Sequence, residues 1–145
     1  MPLAVGTVAP AFTTTDTNGN TVSLSDFVGK TVVLYFYPKD DTPGCTKQAC
    51  SFRDAQEQYT NKDIVVLGVS ADDEASHQAF TQKYNLNFPL LADTDKTIIA
   101  AYDVDAGGYA KRVSYVIDPS GKIIHADASV NTATHAYDVL AALGL

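Results

Sequence analysis

Residues 37–54 read YPKDDTPGCTKQACSFRD, and the reading of this stretch decides the fold. It is entered from Thr31-Val-Val-Leu-Tyr-Phe-Tyr37, a β-branched and aromatic run that is apolar on both faces. Such a run fits a central strand covered on two sides, as in a parallel or mixed sheet. Pro38 ends it. Thr42 then supplies an N-cap and Pro43 fits the first helical position, where a missing N–H costs nothing. The helix predicted from there runs to about Asn61, with Cys45, Ala49, Phe52 and Tyr59 on one face and charged or polar residues opposite. A two-sided strand that turns directly into an amphipathic helix is half of a strand–helix–strand unit.

Outward from that unit the pattern repeats. Ile64-Val-Val-Leu-Gly-Val69 predicts a second buried strand. Ser70 to Asp73 predicts the cap of a helix through about Tyr84, with Ala75, Ala79, Phe80 and Tyr84 at core spacing. Phe88-Pro-Leu-Leu-Ala92 reads as a short strand, and Asp95 as the start of a brief helix to Tyr102. Asp103–Ala110, containing Gly107-Gly108, is expected to be a flexible loop. Val113–Ile117, the turn Asp118-Pro-Ser-Gly121 and Lys122–Ala126 form a hairpin pattern, and a last helix is expected from about Thr132 to Leu143. On the N-terminal side, residues 12–15 and Thr21-Val22 flank Asn18-Gly19, a hairpin turn signal. Ser23 or Ser25 is placed to cap a short helical turn ending at Gly29. The whole predicts one α/β domain over residues 1–145, a mixed sheet flanked by helices.

Composition narrows the function classes. The chain has 145 residues, 46% hydrophobic and 19% charged, which is ordinary for a folded domain. Its net charge of −7 argues against nucleic acid or an anionic membrane as partner, because both require a basic surface. No apolar run approaches the ~20 residues of a membrane-spanning helix. The start, MPLAVGTVAP, has neither a basic region nor a long apolar one, so the cytoplasm is the expected compartment, or an organelle reached through a targeting segment absent from this chain. Cys45 and Cys50 are the only two cysteines. Two cysteines five apart are no disulfide framework, which points to catalysis or redox work.

Cys45 falls in the first turn of its helix. Unpaired backbone N–H groups and the positive end of the macrodipole favour a thiolate there over a thiol. Pro43-Gly44 before it suits close backbone approach more than core filling. The spacing to Cys50 has a mechanical consequence. Five residues of ideal helix rise about 7.5 Å and separate the Cα atoms by roughly 8.6 Å. A disulfide needs them within about 7 Å. If the two sulfurs bond, the first turns of the helix must unwind.

Pro38, Thr42 and Cys45 match the P-x-x-x-T-x-x-C signature of peroxiredoxins, and TPGCTKQACSFRD resembles the bacterioferritin-comigratory-protein or peroxiredoxin Q branch. The resemblance extends over Ala9-Pro10 with Phe12, Asn18-Gly19, the Val-Val-Leu-Tyr-Phe strand, Phe88–Asp93, and Arg112 leading into Tyr115–Asp118 with Gly121-Lys122. It implies a thioredoxin-like fold and reduction of hydroperoxides. Carried onto this chain, Cys45 is the peroxidatic nucleophile, Cys50 the resolving thiol, Thr42 a hydroxyl partner of thiolate and peroxide, Pro38 a shield, and Arg112 the cationic donor. It also implies a disulfide intermediate recycled by thioredoxin, with no metal, haem or flavin. Lacking a further cysteine near Leu145, the chain is expected to be a monomer. Two departures stand out: Val113-Ser114-Tyr115 follows the arginine in place of the usual serine or threonine, threonine and aromatic, and the chain has no tryptophan before it.

Two rival readings differ in class. A thiol–disulfide oxidoreductase on the same fold would usually carry C-x-x-C, not C-x-x-x-x-C. A metal-binding module would draw on the cysteines with His77, His125 and His135, of which His77 and His135 are expected on exposed helix faces. Their spacing fits no common zinc site, and Asp93 with Asp95 lacks the remainder of a calcium loop. Asp40-Asp41 and Asp72-Asp73-Glu74 read as turn and capping charges.

Overall fold

The computed structural model describes residues 2–145. Seven strands form one sheet: β1 Thr13–Asp16, β2 Thr21–Ser23, β3 Thr31–Phe36, β4 Ile64–Ser70, β5 Leu90–Ala92, β6 Val113–Ile117 and β7 Ile123–Asp127. Their order is β2-β1-β5-β4-β3-β6-β7. Four helices accompany them: α1 Pro43–Asn61, α2 Glu74–Tyr84, α3 Thr97–Ala101 and α4 His135–Ala142. A 3-10 turn covers Leu24–Phe27.

The two-sided reading of β3 explains the layers. Val33, Tyr35 and Tyr37 pack with Phe52, Tyr59, Phe80 and Val139 from α1, α2 and α4. Val32, Leu34 and Phe36 face the other way, against Ile98 and Ile99 of α3 with Tyr102 and Val104. β3 pairs in parallel with β4, and β4 in parallel with β5, through the crossovers α1 and α2. β6 runs antiparallel to β3, with Val113 opposite Phe36. Arg112 therefore sits level with the C-terminal end of β3, where α1 begins. Beside it in the sheet, Gly68 of β4 lies under the Tyr35 ring: a Cβ there would stand 2.9 Å from the phenol oxygen.

Several expectations need correction. Ala75 and Ala79 are exposed; the buried residues of α2 are His77 and Phe80. His77 and His135 are both fully buried, not on exposed faces. The polarity of an isolated histidine misled the reading, because its partners arrive from other elements. Asp40 is buried as well, so it is more than a turn charge. α3 starts two residues after Asp95, at Thr97, and Asp95 shares its start with Asp93: Asp95 Oδ1 accepts from the Thr97 N–H at 3.2 Å, and the Asp93 carboxylate accepts from the N–H groups of Ile98 at 3.1 Å and Ile99 at 2.7 Å. The 103–110 segment is pinned at both ends by buried Val104 and Ala110, with a bridge between Asp105 and Ala110. The last helix starts three residues later than predicted, at His135.

Candidate active site

α1 places Cys45 where the sequence predicted. Thr42 is the N-cap, with extended backbone (φ −92°, ψ 155°), and Pro43 opens the helix. The bond from Thr46 N–H to Thr42 O, 2.8 Å, is the first of the i→i−4 series. The N–H groups of Gly44 and Cys45 in the turn before it have no carbonyl partner within the helix. Cys45 is buried, Cys50 half-buried, and both are free thiols. With α1 continuous across them, they lie on different parts of its surface.

Arg112 reaches Cys45 from the start of β6. Its Nη2 donates to Cys45 Sγ at 3.2 Å and its Nη1 donates to Gln48 Oε1 at 2.6 Å. The fork thus spans one turn of α1, holding sulfur and amide together. Gly44 makes room for it: a Cβ on Gly44 would lie 3.1 Å from Arg112 Nη2 and 3.9 Å from Thr132 Cγ2. That is the close approach anticipated for Pro43-Gly44. Gln48 was missed. An amide among Cys45, Ala49 and Phe52 on the apolar face is the signal that marks it, since a buried amide needs a partner from elsewhere. Its Nε2 is buried without one.

Thr42 departs from its expected role in one respect. Its hydroxyl donates to Lys39 O at 2.9 Å, not to the sulfur, and makes no capping bond. The hydroxyl hydrogen is committed, so toward a ligand this oxygen acts as an acceptor. Pro38 is half-buried at the end of β3. Tyr35, fully buried beneath the site, has no partner for its hydroxyl. Burial first, then negative charge at Cys45 and Asp40, pushes its phenol well above the ordinary range, while Arg112 opposes. It remains a neutral phenol.

His135 lies behind α1. Its Nε2 meets Ser114 Oγ at 2.7 Å, and its ring stands edge-on to Phe52 at 5.5 Å between centroids. Burial lowers its pKa to about 4 despite Asp127 and Asp138, so the ring is neutral. Among the described residues, no three His, Cys, Asp or Glu side chains gather where they would hold a metal ion, and no helix is long and apolar enough to cross a membrane.

A family model described as AhpC/TSA matches residues 5–126. The chain is also 44% identical to the protein named peroxiredoxin bcp in Coxiella burnetii, over 99% of this chain and 100% of that one. The chain belongs to the AhpC/TSA family, in its peroxiredoxin Q and bacterioferritin comigratory protein branch. Chloroplastic peroxiredoxin Q of Triticum aestivum is 50% identical over 81% of the chain, which spans 56% of that longer protein. In three dimensions it matches the bacterioferritin comigratory protein of Xanthomonas campestris, a structure described for alkyl peroxide reduction activity, with a TM-score of 0.86 at 33% identity over 92% of this chain and 90% of the other. The sheet and helices are therefore a thioredoxin-like peroxiredoxin fold, and this peroxiredoxin is an enzyme, a thiol-dependent peroxidase.

Proposed function

We propose that Cys45 is the peroxidatic nucleophile, that Cys50 resolves it as an intramolecular disulfide, and that a thioredoxin-type dithiol protein recycles the pair. The observation that carries this is the Arg112 fork, 3.2 Å from Cys45 Sγ and 2.6 Å from Gln48 Oε1. A guanidinium stays charged, stabilises negative charge on sulfur, and presents further donors to an oxygen that gains charge as the O–O bond breaks.

The cycle then has three balanced steps. The Cys45 thiolate attacks the terminal oxygen of a hydroperoxide in line; the O–O bond breaks and the departing oxygen leaves as water or an alcohol once protonated. Cys45 is oxidised to a sulfenic acid. Thr42, whose hydroxyl hydrogen is already given to Lys39 O, serves as acceptor for the O–H of the incoming peroxide. Pro38 shields the sulfur. Cys50 then displaces water from the sulfenic acid to give the disulfide, and a dithiol exchanges with it to restore both thiols.

Closure of the disulfide requires the first turns of α1 to unwind, which brings both sulfurs within reach of a reductant. Structures of the reduced and oxidised protein with the same intact helix over residues 44–51 would defeat that step. Because both cysteines are in one chain, the cycle needs no second subunit, and a cytoplasmic monomer is the working form. The alkyl peroxide activity attached to the Xanthomonas relative supports organic hydroperoxides as substrates beside hydrogen peroxide.

Mass spectrometry after one equivalent of peroxide tests the assignment. Wild type is expected to lose two hydrogens as an intramolecular disulfide, and Cys50→Ser to accumulate sulfenic or more oxidised Cys45. Unmodified Cys45 in both would refute it.

A further inference from the structure

The loop that delivers the chain from β3 to Cys45 is anchored by a side chain that the cycle does not use. Asp40 is buried, and its carboxylate accepts three hydrogen bonds: from Tyr37 Oη at 2.6 Å, from Ser76 Oγ at 2.8 Å, and from His77 Nδ1 at 2.7 Å. Its backbone N–H donates to Asp72 Oδ2 at 2.8 Å, an oxygen that also receives Ser70 Oγ at 2.7 Å. His77 Nε2 faces Leu91 O at 3.0 Å. A carbonyl only accepts, so that nitrogen carries a hydrogen and the remaining proton lies between Nδ1 and Asp40 Oδ2.

These bonds tie one loop residue directly to α2 and to Asp72, and through Asp72 and His77 to Ser70 of β4 and Leu91 of β5. Asp41 follows in the left-handed region (φ 58°) and is tied to α2 too, through Lys83 Nζ at 2.8 Å and Tyr84 Oη at 2.7 Å. Thr42 comes next, and Cys45 three residues later. Replacing a buried charged pair by well-packed apolar residues is often neutral or stabilising, so stability alone gives little reason for this one. What it supplies here is direction: Tyr37 holds one carboxylate oxygen of Asp40, Ser76 and His77 of α2 hold the other, and together they leave it one position.

We infer that the Asp40–His77 unit is the fixed post from which the Cys45 segment is presented to peroxide, setting the rate of attack while disulfide closure does not require it. Asp40 and His77 are thus positioning residues. The inference rests on Cys45 as the attacking thiol and Cys50 as its resolving partner. In-line attack on an O–O bond needs sulfur, Thr42 and Arg112 in register, and a displacement of about 1 Å can cost about 100-fold in rate. Closure takes place in a segment that has already unwound, and a looser anchor does not hinder it.

Rapid-quench thiol trapping with mass readout on the full chain, well below its melting temperature, follows both steps separately. For His77→Asn the attack rate is expected to fall about 10- to 100-fold, and for Ser76→Ala about threefold, with sulfenic acid converting to disulfide at the wild-type rate or faster. Ser76→Thr, which keeps the hydroxyl, retains the wild-type attack rate. Equal slowing of both steps, or wild-type attack in both His77→Asn and Ser76→Ala, overturns the inference. If His77→Asn does not fold, the contrast of Ser76→Ala with Ser76→Thr decides by the same criterion. Wild-type protein whose Cys45 ignores peroxide refutes the underlying assignment instead, and is read in the same experiment.

Discussion

The two halves of α1 are held to the molecule by different means. Its front, Pro43 to Cys50, makes side-chain hydrogen bonds among the described residues only to the Arg112 fork, at Cys45 and Gln48, and packs into the core through Cys45 and Ala49. Its back is fastened from several directions. Ser51 Oγ accepts from Ala136 N–H at 3.1 Å, Tyr59 Oη donates to Ala136 O at 2.6 Å, and Arg53 Nη1 donates to Tyr84 O at 2.7 Å. Phe52 is fully buried and stacks on Tyr35 at 4.8 Å between ring centroids. The cysteines lie on the front side of this boundary, Cys50 at its last position. The disulfide proposed for Cys45 and Cys50 asks for a helix divided in this way: free at the two cysteines, fixed immediately behind them.

The largest effect is expected at the front. Arg112→Ala removes the donor at Cys45 and leaves Gln48 Oε1 buried without its partner. Attack on peroxide should slow about 1,000-fold, equivalent to about 4 kcal/mol of transition-state stabilisation. Stopped-flow turnover at limiting peroxide measures it. A loss within threefold would mean that the fork is structural and that the front half is no more specialised than the back.

The back half rests on a titratable group, which sharpens the contrast in a second way. His135 is buried edge-on against Phe52, and Ala136 beside it carries the bonds to Ser51 and Tyr59. Its pKa is lowered from 6.5 to about 4, by burial first. Between these values the unfolded chain binds the extra proton and the folded chain does not. The contribution is therefore present in full above about pH 6.5 and lost as pH falls toward 4, about 3 kcal/mol in all. Denaturant titrations of wild type and His135→Gln, run from pH 7 to pH 4, should show a steeper acid loss in wild type. Parallel curves would remove His135 from the account.

How much of this was legible in the sequence follows from the range of each interaction. β3, α1, β4 and α2 were readable because β-branched runs, caps and proline act locally, and Cys45 at a helix start was readable for the same reason. Arg112 was reached through the family signature; its position opposite the end of β3 depends on a sheet register that composition does not encode. The buried polar groups were illegible. His77 finds Asp40 across 37 residues and His135 finds Ser114 across 21, and without those partners each histidine reads as surface. That error also turned α2 about its axis, sending Ala75 and Ala79 inward in place of His77. Thr42 shows a subtler limit: its place at the N-cap was correct, but the direction of one hydroxyl hydrogen was not.

The smallest expected effect tests the boundary itself. Ser51 is the first residue behind Cys50, and its hydroxyl satisfies the Ala136 N–H, one of the unpaired donors in the first turn of α4. Ser51→Ala leaves that N–H buried without a partner, at a cost of about 1–2 kcal/mol in global stability. Ser51 takes no part in the hydrogen bonds of Cys45, Arg112 or Gln48, so the rate of peroxide attack should stay at the wild-type value. Moving the fixed edge of the helix one residue further back should make unwinding easier, and conversion of sulfenic acid to disulfide should rise by about two- to threefold. Urea midpoints and the two-step trapping assay measure both quantities on one protein. A variant that loses stability while attack slows and closure does not quicken would place the boundary elsewhere on α1, and the division between its halves would have to be redrawn.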